Sequence, residues 1–213
     1  MHYPDKLMEA EDGLILYMPD PEQVKPAYEN QLTKDATTPF PFWAKIWPAA
    51  IAMSSFLKAE PHWIKDKHVL ELGAGIGLPS FAMAQYASAM IISDHAPEAV
   101  TLMEKNIQYL GLQKVKAMQL DWNCFPEDIN ADTLLLSDIN YAPDQFTPLL
   151  LLIRKFIEQG TSVILSTPQR ITITPFAEAL QPYIKRSVLQ TVEQMGQLVD
   201  IRVLILSIDH TAN

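Results

Sequence analysis

The sequence predicts an α/β fold in which a doubly wound sheet of seven strands is mostly parallel, ends in an antiparallel C-terminal strand and carries helices on both faces. Two observations predict this fold. From residue 68 onward, short apolar runs alternate with longer amphipathic runs, as parallel strands joined by crossover helices require. The last two apolar runs are separated by the link QMGQ, which is too short for a crossover helix and indicates an antiparallel pair.

The strand candidates are short runs rich in Val, Ile and Leu. Those joined by helical segments cover residues 68–72, 90–93, 114–120, 133–137 and 162–166. The final two cover residues 187–193 and 198–208. Together they supply the seven strands of the predicted sheet.

Helices are predicted where apolar residues recur at intervals of three and four. Such stripes run over residues 99–110, 146–157 and 176–184, and the second is the most regular. A further helix is expected to begin at Pro48, because proline is favoured in the first turn of a helix. Trp47 then lies just before the start of that helix.

Residues 1–38 differ in character from the rest of the chain. They are polar, contain several prolines and have little sustained periodicity, so we expect an N-terminal extension over the surface rather than part of the sheet. Weak alternation in GLILYM, residues 13–18, allows one short strand. Residues 39–213 are expected to form a single domain that is large enough to bury one substantial core.

The composition argues against several function classes. The chain has 213 residues and a formal net charge of -9 without a cluster of Lys or Arg, which disfavours a nucleic-acid partner. Its single cysteine, Cys124, excludes an internal disulfide and, like the five histidines, has no metal-ligand spacing. No window approaches the ~18 apolar residues of a membrane span, and the first residues lack a basic start followed by an apolar stretch. We therefore expect a cytoplasmic protein with no bound metal and no membrane partner.

A glycine-rich turn, in the stretch VLELGAGIG, follows the first predicted strand. Gly73, Gly75 and Gly77 have the spacing G-x-G-x-G, and Leu78 stands where the dinucleotide fingerprint G-x-G-x-x-G has its third glycine. The Lys-Ser or Lys-Thr of a phosphate-binding loop does not follow. By itself, the turn is compatible with a ligand at the start of the next helix and equally with close packing of strand against helix.

Acidic residues follow the next two predicted strands. Asp94 ends the second strand, where a carboxylate can accept both hydroxyls of a ribose, and a turn residue or helix cap is the alternative. Asp121 and Trp122 end the third strand, where they can contact the edge and the ring of an adenine. A core position is the alternative for Trp122. Because parallel strands end at a common edge, the acids and the glycine turn predict one ligand site.

The chain resembles the class I, seven-β-strand methyltransferases that bind S-adenosylmethionine. The resemblance lies in three stretches in this order: ELGAGIG, SD at residues 93–94 and LDW at residues 120–122. The resemblance covers residues 40–208 and implies a Rossmann-like sheet whose antiparallel seventh strand lies between the fifth and the sixth. It also implies that Glu71, the acid before the turn, helps to orient the cofactor through its methionine ammonium. Ser137, at the end of the fourth strand, is assigned to the same cofactor.

The fourth strand runs into SDINYAP, which carries the residues expected on the substrate side. Asp138 and Tyr141, three residues apart, can orient an amine and flank it with an aromatic surface. A helix cap and a core aromatic are the alternatives for the two residues. The D-x-x-Y pattern and the segment FWAKIWPAAIA resemble the class I subgroup that methylates protein lysines. This resemblance implies that Asp138 and Tyr141 are catalytic and that Trp47 lines the cofactor pocket.

The resulting prediction is an enzyme whose residues 39–213 form an S-adenosylmethionine-dependent N-methyltransferase domain acting on a lysine of a partner protein. A small-molecule amine as acceptor and a non-catalytic S-adenosylmethionine-binding module remain open. An exocyclic base amine is disfavoured, because Ile139 and Asn140 stand where that motif has two prolines. A dehydrogenase is disfavoured by the glycine spacing and by the absence of residues for a second domain. The predicted cofactor-binding residues are Trp47, Glu71, Gly73, Gly75, Gly77, Asp94, Asp121, Trp122 and Ser137.

Overall fold

The computed structural model describes residues 3–10, 13–140, 142–168 and 174–208. Its N-terminal part contains an antiparallel hairpin of β1 (Asp5–Glu9) and β2 (Ile15–Pro19), followed by helix α1 (Pro21–Leu32). The hairpin is a sheet separate from the main one, and β2 is the short strand that the sequence allows. β1 and α1 are absent from the sequence-based prediction, because neither buries an apolar face that would produce a regular pattern. The division of the chain at residue 38 stays a prediction.

The main sheet has seven strands within the described ranges. In chain order they are β3 (His68–Leu72), β4 (Ala89–Asp94), β5 (Val115–Gln119), β6 (Thr133–Ser137), β7 (Ser162–Pro168), β8 (Ile184–Gln194) and β9 (Gln197–Leu206). They lie side by side in the order β5-β4-β3-β6-β7-β9-β8, and β9 is antiparallel to both of its neighbours. The other neighbouring pairs are parallel. The predicted fold class, including the last strand inserted between the fifth and the sixth, is therefore confirmed.

Helices connect these strands and cover the sheet. They are α2 (Pro48–Ala59), α3 (Leu78–Met83), α4 (Pro97–Leu110), α5 (Phe146–Glu158) and α6 (Thr174–Leu180). The start of α2 at Pro48 with Trp47 as its N-cap confirms the prediction. α6 ends at Leu180, earlier than the predicted end at residue 184, because Pro182 lacks an amide hydrogen and does not fit inside a helix. Among the described residues, no helix is long and apolar enough to cross a membrane.

The hydrophobic core lies on both faces of the sheet. One cluster joins the sheet to α2, α3 and α4, and a second joins it to α5 and α6. The alternation along each strand divides the side chains between them: in β6, Leu135 belongs to the first cluster, whereas Leu134 and Leu136 belong to the second. Strands that are buried on both faces read as continuous apolar runs, which explains why their bounds are easily predicted.

The N-terminal hairpin is fixed to α4. Leu16 of β2 is fully buried in the same cluster as α4. The buried side chain of Asn106 accepts a hydrogen bond from the N–H of Tyr17 at 2.7 Å and donates one to its carbonyl at 2.9 Å. Lys105 on α4 forms an ion pair with Asp5 of β1. These contacts hold the hairpin against α4.

Candidate functional site

The strand order reverses between β3 and β6. From β3 the chain builds through β4 and β5 to one edge, and β6 and β7 then continue on the other side of β3. The loops after β3 and β6 therefore diverge and open a crevice at the carboxyl ends of the strands, the place where open α/β sheets bind ligands. A cavity of about 390 Å³ lies there, within the range of ~300–1,000 Å³ that is typical of small-molecule and cofactor sites.

Most of the residues predicted for the site meet at this cavity. Its lining includes Trp47, Gly73, Gly75, Gly77, Asp94, Trp122, Ser137 and Asp138. Glu71 and Asp121 are not among its lining residues, and Tyr141 lies outside the described residues. The structure thus brings these residues together, while the role given to each of them stays a prediction.

The glycine turn has a backbone that requires glycine. Gly73, Gly75 and Gly77 have φ angles of 63°, 56° and 82°, in the left-handed region that residues with a Cβ rarely adopt. Space is restricted as well. A Cβ on Gly73 would lie 2.8 Å from Cγ2 of Ile139, and a Cβ on Gly75 would lie 3.1 Å from the carbonyl oxygen of Trp43. The turn therefore lets backbone form the floor of the cavity where a side chain would fill it.

Asp94, at the end of β4, joins the glycine turn to α4. Its carboxylate accepts hydrogen bonds from the N–H groups of Gly75 and Ala96, each at 3.0 Å, and the residue is 5% exposed. The imidazole Nδ1 of His95 lies 3.2 Å from the same carboxylate, and this hydrogen bond raises the pKa of His95. Asp94 thus has the structural role of a turn residue and also lines the cavity, while its contact with a ribose stays a prediction.

Glu71 lies behind the turn and is 1% exposed. The hydroxyl of Ser80 donates a hydrogen bond to Oε2, whereas Oε1 has no hydrogen-bond partner among the described residues. Burial raises the pKa of Glu71 to about 7, the Ser80 hydrogen bond opposes this rise, and the charge of Asp94 adds to it. Because Glu71 does not line the cavity, this carboxyl supports the turn from behind.

Asp121 and Trp122 follow β5 but differ in their surroundings. Asp121 is exposed, and its carboxylate accepts hydrogen bonds from the main-chain and side-chain N–H groups of Asn123, both at 2.8 Å. Trp122 lines the cavity, and its indole N–H donates to the side-chain oxygen of Gln145 at 3.0 Å. Trp122 also packs against the edge of the hydrophobic cluster beneath α5. The same side chain therefore contacts the core and lines the cavity.

Asp138 follows β6 directly, with an unusual backbone conformation. Its φ angle is 53°, in the left-handed region where Asp and Asn are the most tolerated residues after Gly. Its N–H donates to the carbonyl of Ser166 at 2.9 Å, and the residue is 8% exposed. The hydroxyl of Ser137 lies 3.2 Å from that of Ser166. Backbone conformations of this kind cost free energy and cluster at functional sites, which supports a role in function for Asp138.

An aromatic wall of Tyr3, Phe40, Phe42, Trp43 and Trp47 forms another part of the cavity lining. The indole N–H of Trp47 donates to the carbonyl of Phe42 at 2.8 Å. Of the wall, only Trp47 belongs to the predicted site. Phe42 and Trp43 could have been found beside it in the segment PFPFWAKIW. For Tyr3 the sequence offers no signal, because it lies far earlier in the chain.

The fold and the site define a class I methyltransferase architecture. The N-methyltransferase NodS from Bradyrhizobium japonicum, solved in complex with S-adenosyl-L-homocysteine, aligns with a TM-score of 0.62 and 11% sequence identity. The alignment covers 84% of this chain and 97% of that chain. At this low identity, the likeness shows the fold.

The model of the lysine methyltransferase family matches residues 31–186, and the chain therefore belongs to this family. Histone-arginine methyltransferase METTL23 of Xenopus laevis is 29% identical over 120 residues, which are 54% of this chain and 51% of the relative. Protein-lysine N-methyltransferase EFM3 of Chaetomium thermophilum is 31% identical over 142 residues, which are 59% of this chain and 42% of the relative. The chain thus spans about half the length of the curated relatives that it matches. The predicted family resemblance is confirmed.

Proposed function

We propose that this protein is an S-adenosylmethionine-dependent N-methyltransferase that methylates a lysine side chain of a partner protein. The observation that carries the proposal is the position of Asp138. It is a buried acidic residue with left-handed φ, it follows a central strand, and it lines the same cavity as the glycine turn. Membership of the lysine methyltransferase family supports the choice of acceptor.

The residues around the turn fit S-adenosylmethionine. The glycines leave room for the ligand to approach the backbone, and the carboxylate of Asp94 would accept the ribose hydroxyls. Trp122 would contact the adenine ring, and Glu71, buried behind the turn and outside the cavity lining, would support the turn on the methionine side of the cofactor. When bound, the cofactor supplies a methyl group that its sulfonium makes electrophilic.

The task of the protein is then to hold a neutral amine in line with that methyl group. A lysine amine has a pKa near ~10.4 and is mostly protonated at neutral pH. The apolar cavity lowers the pKa of a bound amine, whereas the charge of Asp138 raises it. We therefore assign Asp138 to orienting the amine through a hydrogen bond, with the proton lost to water, and Tyr141 to flanking it. Alignment of the reacting groups, rather than a strong base, supplies the rate enhancement.

Arginine is the second candidate acceptor, because METTL23, one of the relatives, carries the name of a histone-arginine methyltransferase. A small-molecule amine and a non-catalytic module are the remaining alternatives. We also propose a cytoplasmic location, since the single cysteine can form no internal disulfide and a reducing compartment suits such a chain.

The proposal is tested by incubating the purified protein and a cell lysate with S-adenosylmethionine that carries a radiolabelled methyl group. Labelled proteins are separated, hydrolysed and analysed for methylated amino acids, while the small-molecule fraction is counted separately. The matched control is the Asp138→Asn variant under the same conditions. We expect label in methyl-lysine from a discrete protein band and a strongly reduced signal with the variant.

The other outcomes overturn specific parts of the proposal. Label in methylarginine would replace lysine by arginine as the acceptor, and label confined to the small-molecule fraction would exclude a protein acceptor. If calorimetry detects binding of the cofactor but no acceptor becomes labelled, the protein is a binding module rather than an enzyme.

A further inference from the structure

One residue of the cavity comes from outside the part of the chain that matches the family model. Tyr3 lines the cavity and is 5% exposed, and its ring packs edge to face on Trp43 with the ring centroids 5.4 Å apart. Trp43 in turn lies against the glycine turn, since its carbonyl oxygen is 3.1 Å from the place that a Cβ on Gly75 would occupy. Trp43 therefore contacts Tyr3 through its ring and the turn through its backbone.

The hydroxyl of Tyr3 is buried and has no hydrogen-bond partner in the part of the chain that the structure describes. A buried hydroxyl without a partner destabilises the protein in which it occurs. Phenylalanine would pack on Trp43 equally well without this cost. Because Tyr3 lines the cavity, its buried hydroxyl without a partner indicates an acceptor that a bound ligand supplies.

The position of Tyr3 is determined by the hairpin that follows it. The carbonyl of Pro4 accepts a hydrogen bond from the N–H of Asp20 at 2.8 Å, and Lys6 pairs with the carboxylate of Asp20 at 3.0 Å. The same hairpin is fixed to α4 by Asn106 and by the ion pair between Lys105 and Asp5. These contacts fix the segment that directly follows Tyr3.

The surroundings of Tyr3 indicate which part of a ligand it meets. Burial and the nearby negative charge of Glu98 raise its pKa, so the phenol stays protonated and acts as a hydrogen-bond donor. Glu98 lies in the first turn of α4, a few residues after Asp94, and both residues line the cavity. Since the hairpin that follows Tyr3 is also fixed to α4, Tyr3 belongs to the end of the cavity formed by β4 and α4.

We propose that Tyr3 is a cofactor-binding residue whose hydroxyl donates a hydrogen bond to an oxygen at the ribose end of the bound cofactor. This inference rests on the proposed function. It makes the N-terminal hairpin a part of the cofactor site, although the match to the family model begins only at residue 31.

The test compares Tyr3→Phe with the wild type by isothermal titration calorimetry with S-adenosylmethionine and by thermal unfolding without it. We expect the dissociation constant to rise about five- to tenfold, as for the loss of one hydrogen bond. The melting temperature without cofactor is expected to stay unchanged or to rise, because the variant removes a buried hydroxyl without a partner. A purely structural role would instead lower the melting temperature. Tyr17→Phe is the matched control, since Tyr17 lies on the same hairpin but does not line the cavity.

An unchanged dissociation constant for Tyr3→Phe would overturn the inference and leave the proposed function intact. An equal rise for Tyr17→Phe would also overturn it, because the effect would then belong to the hairpin as a whole. If the wild type does not bind S-adenosylmethionine, the proposed function fails, and the inference fails with it. If the wild type binds the cofactor and Tyr3→Phe binds it equally well, only the inference fails.

Discussion

Two walls of the cavity are built in different ways. The strand-end wall consists of the glycine turn, Asp94, Trp122, Ser137 and Asp138, which lie at or just after the ends of strands in the parallel sheet. The aromatic wall comes from residues that precede the first strand of that sheet. The strand-end wall is a local consequence of the fold, whereas the aromatic wall exists only because separate segments pack together.

The two walls also differ in what holds them. Left-handed backbone conformations and main-chain hydrogen bonds, such as that from Gly75 to Asp94, determine the strand-end wall. Ring contacts dominate the aromatic wall, as between Phe40 and Phe42, whose centroids lie 4.8 Å apart. Substitutions in the strand-end wall should therefore have large and specific effects, and loosening of the aromatic wall should have smaller ones.

The largest effect is expected where the two walls touch. In Gly75→Arg the new side chain starts from a left-handed φ of 56° and meets the carbonyl oxygen of Trp43 at 3.1 Å. We expect calorimetry to show that the affinity for S-adenosylmethionine falls on the order of 10³-fold or more, which corresponds to about 4 kcal/mol. Gly111→Arg is the control, because Gly111 has a φ of 65° but no atom within 4 Å of the added Cβ. Unchanged affinity for Gly75→Arg would refute the assignment of the site.

A pH-dependent effect is expected behind the strand-end wall. Because the pKa of Glu71 is raised from 4.5 to about 7 in the folded protein, folding favours its protonated form. The raised pKa of Glu71 therefore stabilises the folded protein fully below pH 4.5, and this stabilisation is lost as the pH rises to about 7. The free energy of unfolding should fall by about 3 kcal/mol over this range. Glu71→Gln imitates the protonated acid, so urea unfolding should show a greater advantage of the variant at pH 8 than at pH 5.

The control for this experiment is Glu158→Gln, which alters an exposed carboxyl in the last turn of α5. It should shift the stability by the same small amount at both pH values. The interpretation of Glu71 is wrong if Glu71→Gln behaves in the same way.

An effect on rate alone is expected at the substrate side of the strand-end wall. Asp138→Asn keeps a residue that tolerates the left-handed φ of 53° but removes the charge that would orient the amine. We expect the rate of methyl transfer to fall about 100-fold, while the dissociation constant of the cofactor changes less than about threefold. Asp66→Asn is a matched control, because Asp66 also has a left-handed φ, 60°, but precedes β3 at the opposite edge of the sheet. A parallel loss of affinity and rate in Asp138→Asn would contradict a role in orientation.

The smallest effect on ligand binding is expected from a substitution on α4 that weakens the attachment of the hairpin next to Tyr3. Asn106→Ala leaves the half-buried N–H and carbonyl of Tyr17 without their partner and should lower the free energy of unfolding by about 2 kcal/mol. Hydrogen exchange should become faster across β1 and β2. Cofactor affinity should fall only about two- to threefold, through the displacement of Tyr3. Gln108→Ala, an exposed substitution on the same helix, should leave all three measurements unchanged.

The predictable part of the molecule is the sheet and the wall that it carries. The bounds of β3 and β6 agree with the predicted runs 68–72 and 133–137, because strands buried on both faces leave continuous apolar stretches in the sequence. Helix α1 escapes prediction because it buries no residue. At the site, Asp121 shows how far prediction from the sequence reaches. Its place after β5 is predictable, but its hydrogen bonds with Asn123 depend on the local turn.

The sequence by itself determined the succession of strands and helices, the glycine turn and the acids that end the strands. Each of these depends on neighbours in the chain, through apolar periodicity and through the backbone conformations that glycine and aspartate adopt. Only the tertiary structure decided that Tyr3 meets Trp43 beside the cavity and that Asn106 holds Tyr17. Such contacts join residues far apart in the chain, and they form only when the apolar faces of the hairpin and of α4 are buried together.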